Sequence, residues 1–209
     1  MLHLPKHTEF NQSIPKNSFH SFITSKQKKF LTDEVEKIRW THKLSPETIQ
    51  LAAKSGQEIQ VIWIEFRSIA HADAIIQIVE RFIPYQLIVV QRFGQQQRIC
   101  TSCKHPHPSK EQESVIDWTF SSNWFDDELM PYELKLQNSL DDVFDDLCFQ
   151  ISGRFDLPIK ELVAAEKEAK SLQNQIVRLE SKIRQTTQFN EKVKLNQELQ
   201  QLQPSLRGF

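Results

Sequence analysis

Glycine is scarce in this chain, and the four present, Gly56, Gly94, Gly153 and Gly208, never cluster. A loop that lets backbone approach a phosphate needs several glycines in close succession, so neither a P-loop nor a dinucleotide fingerprint can be built. The Gly-x-Ser-x-Gly elbow and the His-Glu-x-x-His pair are also missing, which removes the usual geometry of serine hydrolases and zincins. Cysteine is sparse and odd in number: Cys100, Cys103 and Cys148 suit a reducing compartment better than a disulfide framework. No segment approaches the ~20 apolar residues that span a bilayer, and Leu2, His3, Leu4, Pro5 and Lys6 form no signal-peptide core. We therefore expect a cytoplasmic protein without a membrane segment.

What is present is unevenly charged. The net charge of -1 hides nine Lys/Arg against five Asp/Glu in residues 1 to 55, and one basic residue, Lys135, against eleven acids in residues 111 to 150. Such a bipolar layout lets the basic third meet phosphate, while a surplus of four is also ordinary for a solvated surface. The acidic segment would repel nucleic acid and suits a basic partner surface.

The fold class expected is α/β (α+β): a small mixed β-sheet with packed helices in residues 1 to 155, and a C-terminal coiled-coil helix or helical hairpin in residues 156 to 209. Start signals at Asn17 or Ser18, at Thr32 before Asp33 and Glu34, and at Ser45-Pro46-Glu47 make the N-terminal part read as mainly helical. Ile59 to Phe66 is nearly continuous in apolar, β-branched and aromatic residues, as in a strand covered on both faces. Ala72, Ile75, Ile76, Val79 and Phe82 follow at helical spacing and Leu87 to Val90 is again apolar, so a β-α-β unit with parallel strands is expected. Arg98 to Lys104 then pairs back, Val115 to Phe120 adds a strand, and Ser139 with Asp142 caps a helix ended by Gly153.

The tail carries the most regular pattern. Leu162, Ala165, Ala169, Leu172, Ile176, Leu179 and Ile183 recur at steps of three and four, which is a heptad seam in search of a partner helix. Leu162, Leu172, Ile176, Leu179 and Ile183 are the expected interaction residues. Beyond Ile183 the seam meets Thr186 and Asn190, so either the chain turns back and packs Val193, Leu195, Leu199 and Leu202 on the first arm, or one long helix carries a polar layer that sets register and pairs with a second copy or another protein.

Three groups have residue types that could carry chemistry. Cys100-x-x-Cys103 with His105 and His107 has zinc-ligand types, but structural zinc sites draw ligands from two segments, and here all four lie on one strand and its exit. No metal and no cofactor is therefore expected. Glu65-x-Arg67 is similar to the acid-x-lysine half of the PD-(D/E)xK nuclease fold, in which a strand acid binds magnesium. Arginine replaces the lysine, and Glu58 or Glu47 would have to serve as second ligand. Ion pairing at the end of a buried strand is the simpler account. Trp40, His42 and Lys43 place an aromatic ring among cations, as in sites on which single-stranded nucleic acid stacks; a tryptophan at a helix-sheet junction is also often core.

Separated blocks extend the comparison over most of the chain. Ile14-Pro15-Lys16, Ile38-Arg39-Trp40, Lys43 to Thr48, Glu58 to Val61, and Gln188 to Asn196 with Glu198-Leu199 resemble a bacterial and archaeal family known as domain of unknown function forty-three ninety-one. Its members often stand beside DNA methyltransferase and helicase genes of restriction-type defence loci. The resemblance implies an accessory, non-catalytic interaction subunit of a DNA-processing or phage-defence system, with a helicase or DNA methyltransferase as partner. The competing readings are a metal-dependent nuclease using Glu65 and a homodimeric nucleic-acid-binding protein.

Overall fold

The computed structural model describes residues 2, 4–55, 58–110 and 112–207. Two compact units divide the chain, Met1–Phe155 and Asp156–Phe209. Among the described residues no helix is long and apolar enough to cross a membrane.

The first unit is built on β3 (Ile59–Phe66) and β4 (Gln86–Phe93), which run parallel with Ile62 opposite Val89. Helix α3 (Ala72–Phe82) makes the crossover between them, as the sequence spacing predicts. β2 (Val35–Leu44) adds antiparallel to β3, and β1 (Glu9–Ser13) antiparallel to β2. On the other side β5 (Gln96–Pro106) and β6 (Ser114–Ser121) continue antiparallel, and the two-residue β7 (Phe125–Asp126) joins β5. The seven-stranded sheet thus runs β1-β2-β3-β4-β5-β6 in chain order, mixed through its single parallel pair.

Alternation along the strands gives the sheet two different faces. Ile62, Ile64 and Phe66 of β3, Leu87 and Val89 of β4, and Cys100 of β5 pack with Ile75, Ile76 and Val79 of α3 in one core. Leu31 of α1 (Ser25–Glu34) and Val35 and Ile38 of β2 complete it. Each such side chain contributes roughly 1.5 to 3 kcal/mol when fully buried. The opposite face carries α4 (Leu140–Ser152), which packs on β6 and buries Val143, Phe144, Leu147 and Cys148. Ser139 caps α4 by accepting the Asp142 amide, and Gly153 ends it at φ 72°, in the left-handed region that favours glycine.

The N-terminal part departs from the helical expectation. Phe19 closes a 3₁₀ turn, Lys16–Phe19, and the helix starts only at Ser25, where Thr24 and Gln27 form a capping box. Thr32 is no cap; it lies in the last turn of α1 and its hydroxyl donates to the Lys28 carbonyl. Residues 35 to 44 form a strand because the buried β3 has ladder groups to satisfy on its second side, and pairing overrides local preference. Ser45-Pro46 does start a helix, α2 (Pro46–Ile49), which stops after one turn where Gln50 takes φ 56°.

An ion pair locks α3 to the sheet. Lys104 Nζ donates to Glu80 Oε2 at 2.9 Å and to the carbonyls of Glu80 and Ile83 at 2.8 Å each, so the three ammonium donors are used at the end of the helix. Burial pushes the Glu80 carboxyl up and the Lys104 ammonium down from their ordinary values, each opposed by the partner's charge.

In the second unit α5 (Ile159–Gln185) ends at Thr186 and α6 (Phe189–Arg207) packs back on it. The tail is a helical hairpin. Ile176 and Leu179 are buried, Leu172, Ile183, Leu195, Leu199 and Leu202 are half-buried, and Val193 stays 39% exposed. The seam therefore finds its partner within the chain, and Thr186 to Gln188 supply the turn.

Two stability predictions follow from these contacts. Lys104→Met should lower stability by about 3 to 5 kcal/mol because Glu80 is left buried and unpaired. Adding Glu80→Leu should recover most of that loss in chemical denaturation, and a double variant no better than the single one would refute the assignment. Truncation after Gln185 should reduce helicity per residue of the tail and lower the melting temperature, since Ile176 and Leu179 lose their cover; unchanged circular dichroism and melting would contradict it.

Candidate functional site

The helical cover on the α4 side stops short of β2 and the adjoining half of β3. There the sheet opens into a cleft of about 520 Å³, walled by Leu2 and Leu4 from the N-terminal segment, by β1, and by Met130. Its floor is read from the strand register. Lys37, Glu65 and Arg92 lie opposite one another on β2, β3 and β4; Arg39, Trp63 and Val90 form the next row; His42 and Val61 begin the third, with Glu9 of β1 opposite His42. Neighbouring strands stand about 4.8 Å apart, so each row is a contiguous strip of side chains.

The rows differ in how their charges are met. Arg92 is tethered, donating to Asp127 Oδ2 at 2.9 Å and to the Gly94 carbonyl at 3.2 Å. The side chains of Lys37, Arg39 and Glu65 make no hydrogen bond or ion pair with any described residue, their backbones being held in the β2–β3 ladder. A half-buried acid thus sits between a tethered and an untethered cation, with a second untethered cation beside Trp63. His42 is half-buried with Nδ1 unpartnered among the described residues, and burial holds its imidazole below the usual value while Glu9 opposes the shift. The arrangement favours an anionic chain along β2, an aromatic face against Trp63, and a hydrogen-bond donor against Glu65.

The sequence candidates are distributed as follows. Glu65 lines the cleft, but β3 ends at Phe66 and Arg67 lies beyond it, exposed, with its backbone amide donating to Glu34. Glu58 pairs with Lys43 at 2.9 Å. Glu58 and Glu65 stand seven positions apart along an extended chain, roughly 23 Å at the strand rise, too far for two ligands of one ion. Glu47 is exposed in the first turn of α2. Among the described residues no three carboxylate, thiol or imidazole groups form a metal-ligand cluster.

Trp40, His42 and Lys43 do not gather either. A bulge between Trp40 and His42 sends His42 into the cleft, while Trp40, opposite Ile62, packs on the α3-side core and stacks on Phe10 at 4.0 Å. The zinc-type residues separate too: Cys100 lies in the α3-side core, His105 bonds Asp117 at 2.7 Å, and His107 accepts from the Ser109 amide at 3.2 Å. The acids of residues 111 to 150 are largely used at home. Glu113 pairs with Arg81 and Lys110, Asp127 with Arg92, Asp142 with Lys54, and Asp146 with Lys135, while Asp141 accepts the Lys54 and Ser55 amides. Sequence reasoning does not single out Lys37, Arg39, Trp63 or Arg92 as site residues; the alternation Lys37-x-Arg39 is a signal for the first two alone, masked by the helix-like spacing of Val35 and Ile38 around it.

The His42 environment fixes a pH dependence. Above the ordinary imidazole value the ring is neutral folded or unfolded; below it the unfolded chain takes up a proton more readily, so stability falls with acidity until the folded ring also protonates. His42→Gln should flatten this part of the stability profile, and a nuclear magnetic resonance titration should place the His42 midpoint below 6.5. A midpoint at or above that value would contradict the burial.

No curated protein and no solved structure matches the chain significantly. The family model described as Domain of unknown function (DUF4391) matches residues 2–206, and the chain belongs to that family.

Proposed function

We propose that this DUF4391 member is an accessory, non-catalytic binding subunit whose sheet cleft holds single-stranded nucleic acid. The observation that carries the reading is the pair Lys37 and Arg39, two cations at alternate positions of one strand, both facing the cleft and both without a protein partner among the described residues. Their spacing of about 6.6 Å along β2 is close to the phosphate repeat of an extended single strand. Trp63 beside them offers the flat apolar surface on which an unpaired base stacks. A nuclease role finds less support, because among the described residues no metal-ligand cluster of three carboxylate, thiol or imidazole groups includes Glu65. The setting proposed, a bacterial DNA-processing or restriction-type defence system with a helicase or DNA methyltransferase as partner, rests on the family resemblance. Because the seam is closed within the tail hairpin, the surface it leaves for that partner contact is its outer side, where Val177 and Phe189 are exposed.

Fluorescence anisotropy with a labelled single-stranded oligonucleotide tests the reading. Binding should weaken with salt, and a Lys37→Gln/Arg39→Gln variant should lose affinity and flatten the salt slope by about 0.7 for each contact removed. A variant that melts and binds like the parent would refute the site. Magnesium-dependent cleavage present in the parent and absent in Glu65→Gln would overturn the non-catalytic assignment, and co-purification of the native protein identifies the partner.

A further inference from the structure

We infer that Glu65 selects the base, and that the cleft is read for guanine. The inference rests on the single-strand reading above and adds a specificity to it. Glu65 and Trp63 are two residues apart on β3 and face the same way, so a base stacked on the Trp63 ring brings its edge to the Glu65 carboxylate, roughly 6.6 Å along the strand. Arg39, opposite Trp63, and Lys37, opposite Glu65, then flank that base on the β2 side, where the phosphates run.

The chemistry of the edge decides the base. An ionised carboxylate accepts hydrogen bonds and donates none. Guanine presents two adjacent donors, N1–H and the 2-amino group, which match the two oxygens of one carboxylate. Adenine and cytosine each set one amino donor beside a ring-nitrogen lone pair, and thymine or uracil sets one N–H between two carbonyls, so each of these meets Glu65 with at least one repelling acceptor. Glu65 is available for this contact because it has no protein partner among the described residues, while Arg92 in the same row is drawn off to Asp127 and Gly94. Being half-buried on the cleft floor, the carboxylate is shielded enough for a missing donor to be felt.

Thymidine oligomers carrying one central guanine, adenine, cytosine or abasic site, compared by anisotropy at constant salt, provide the test. The guanine strand should bind about tenfold or more tightly than the others, in the range a bidentate base contact confers. Glu65→Gln replaces one acceptor by a donor and should bring the guanine ratio close to one. Equal affinities for all strands in the parent would overturn the inference and leave the single-strand reading standing, whereas absence of binding to every strand defeats both. A guanine preference that survives in Glu65→Gln would assign selectivity to another residue and overturn the role given to Glu65.

Discussion

Side chains alternate across a strand, and β3 is where this constraint shapes both halves of the first unit. Its even-numbered residues, Ile62, Ile64 and Phe66, are fully enclosed by α3 and α1 and supply the middle of the core. Its odd-numbered residues face the other way and pass from buried Ile59 and Val61 to half-buried Trp63 and Glu65. The strand cannot shift by one residue without sending Glu65 into the core, so the register that secures the fold also fixes the cleft floor. Helical cover on one face, and its absence beyond Val61 on the other, follow from which residues this strand presents.

Two carboxylates show how differently the unit treats charge. Glu80 is enclosed and answered by Lys104, whose remaining donors satisfy helix-end carbonyls; Glu80 Oε1, without a partner among the described residues, is itself buried, so the pair is closed to solvent. Glu65 stands in a comparable row of cations, yet the nearer candidates are left apart from it or held by other acceptors. Structural ion pairs are completed by their own chain; an acid left incomplete beside an aromatic ring is available to something else.

The parts legible in the sequence were those whose local signals agreed with their final packing. β3, α3 and β4 declared themselves by apolar content and period, and α4 by Ser139 and Gly153. β2 did not, because register shifts between Val35 and Lys37 and between Trp40 and His42 break its alternation, leaving Val35 and Ile38 at a spacing that suits a helix. The same bulges explain the candidate site. Trp40, His42 and Lys43 are close in sequence but divided between faces, while Glu65 is distant in sequence from Lys37 and Arg39 and beside them in the sheet. Glu65 is legible as a lone acid at the end of an apolar run, whereas the separation of Arg67 from it depends on the strand ending at Phe66, which no local signal marks.

From β1 to β6 the order of strands in the sheet is the order in which they leave the ribosome, the two-residue β7 alone returning to β5. Each strand from β2 onward meets a neighbour that has already been synthesised, and only α3 intervenes as a crossover. Such an arrangement keeps the sequence separation of contacts low for a sheet protein, which shortens the search for each pairing. It also means that the growing edge is capped promptly by the next arrival while the outer side of β1 remains an edge throughout, so as the chain lengthens only the short, largely polar β1, of the two edges, is long available to a neighbouring chain.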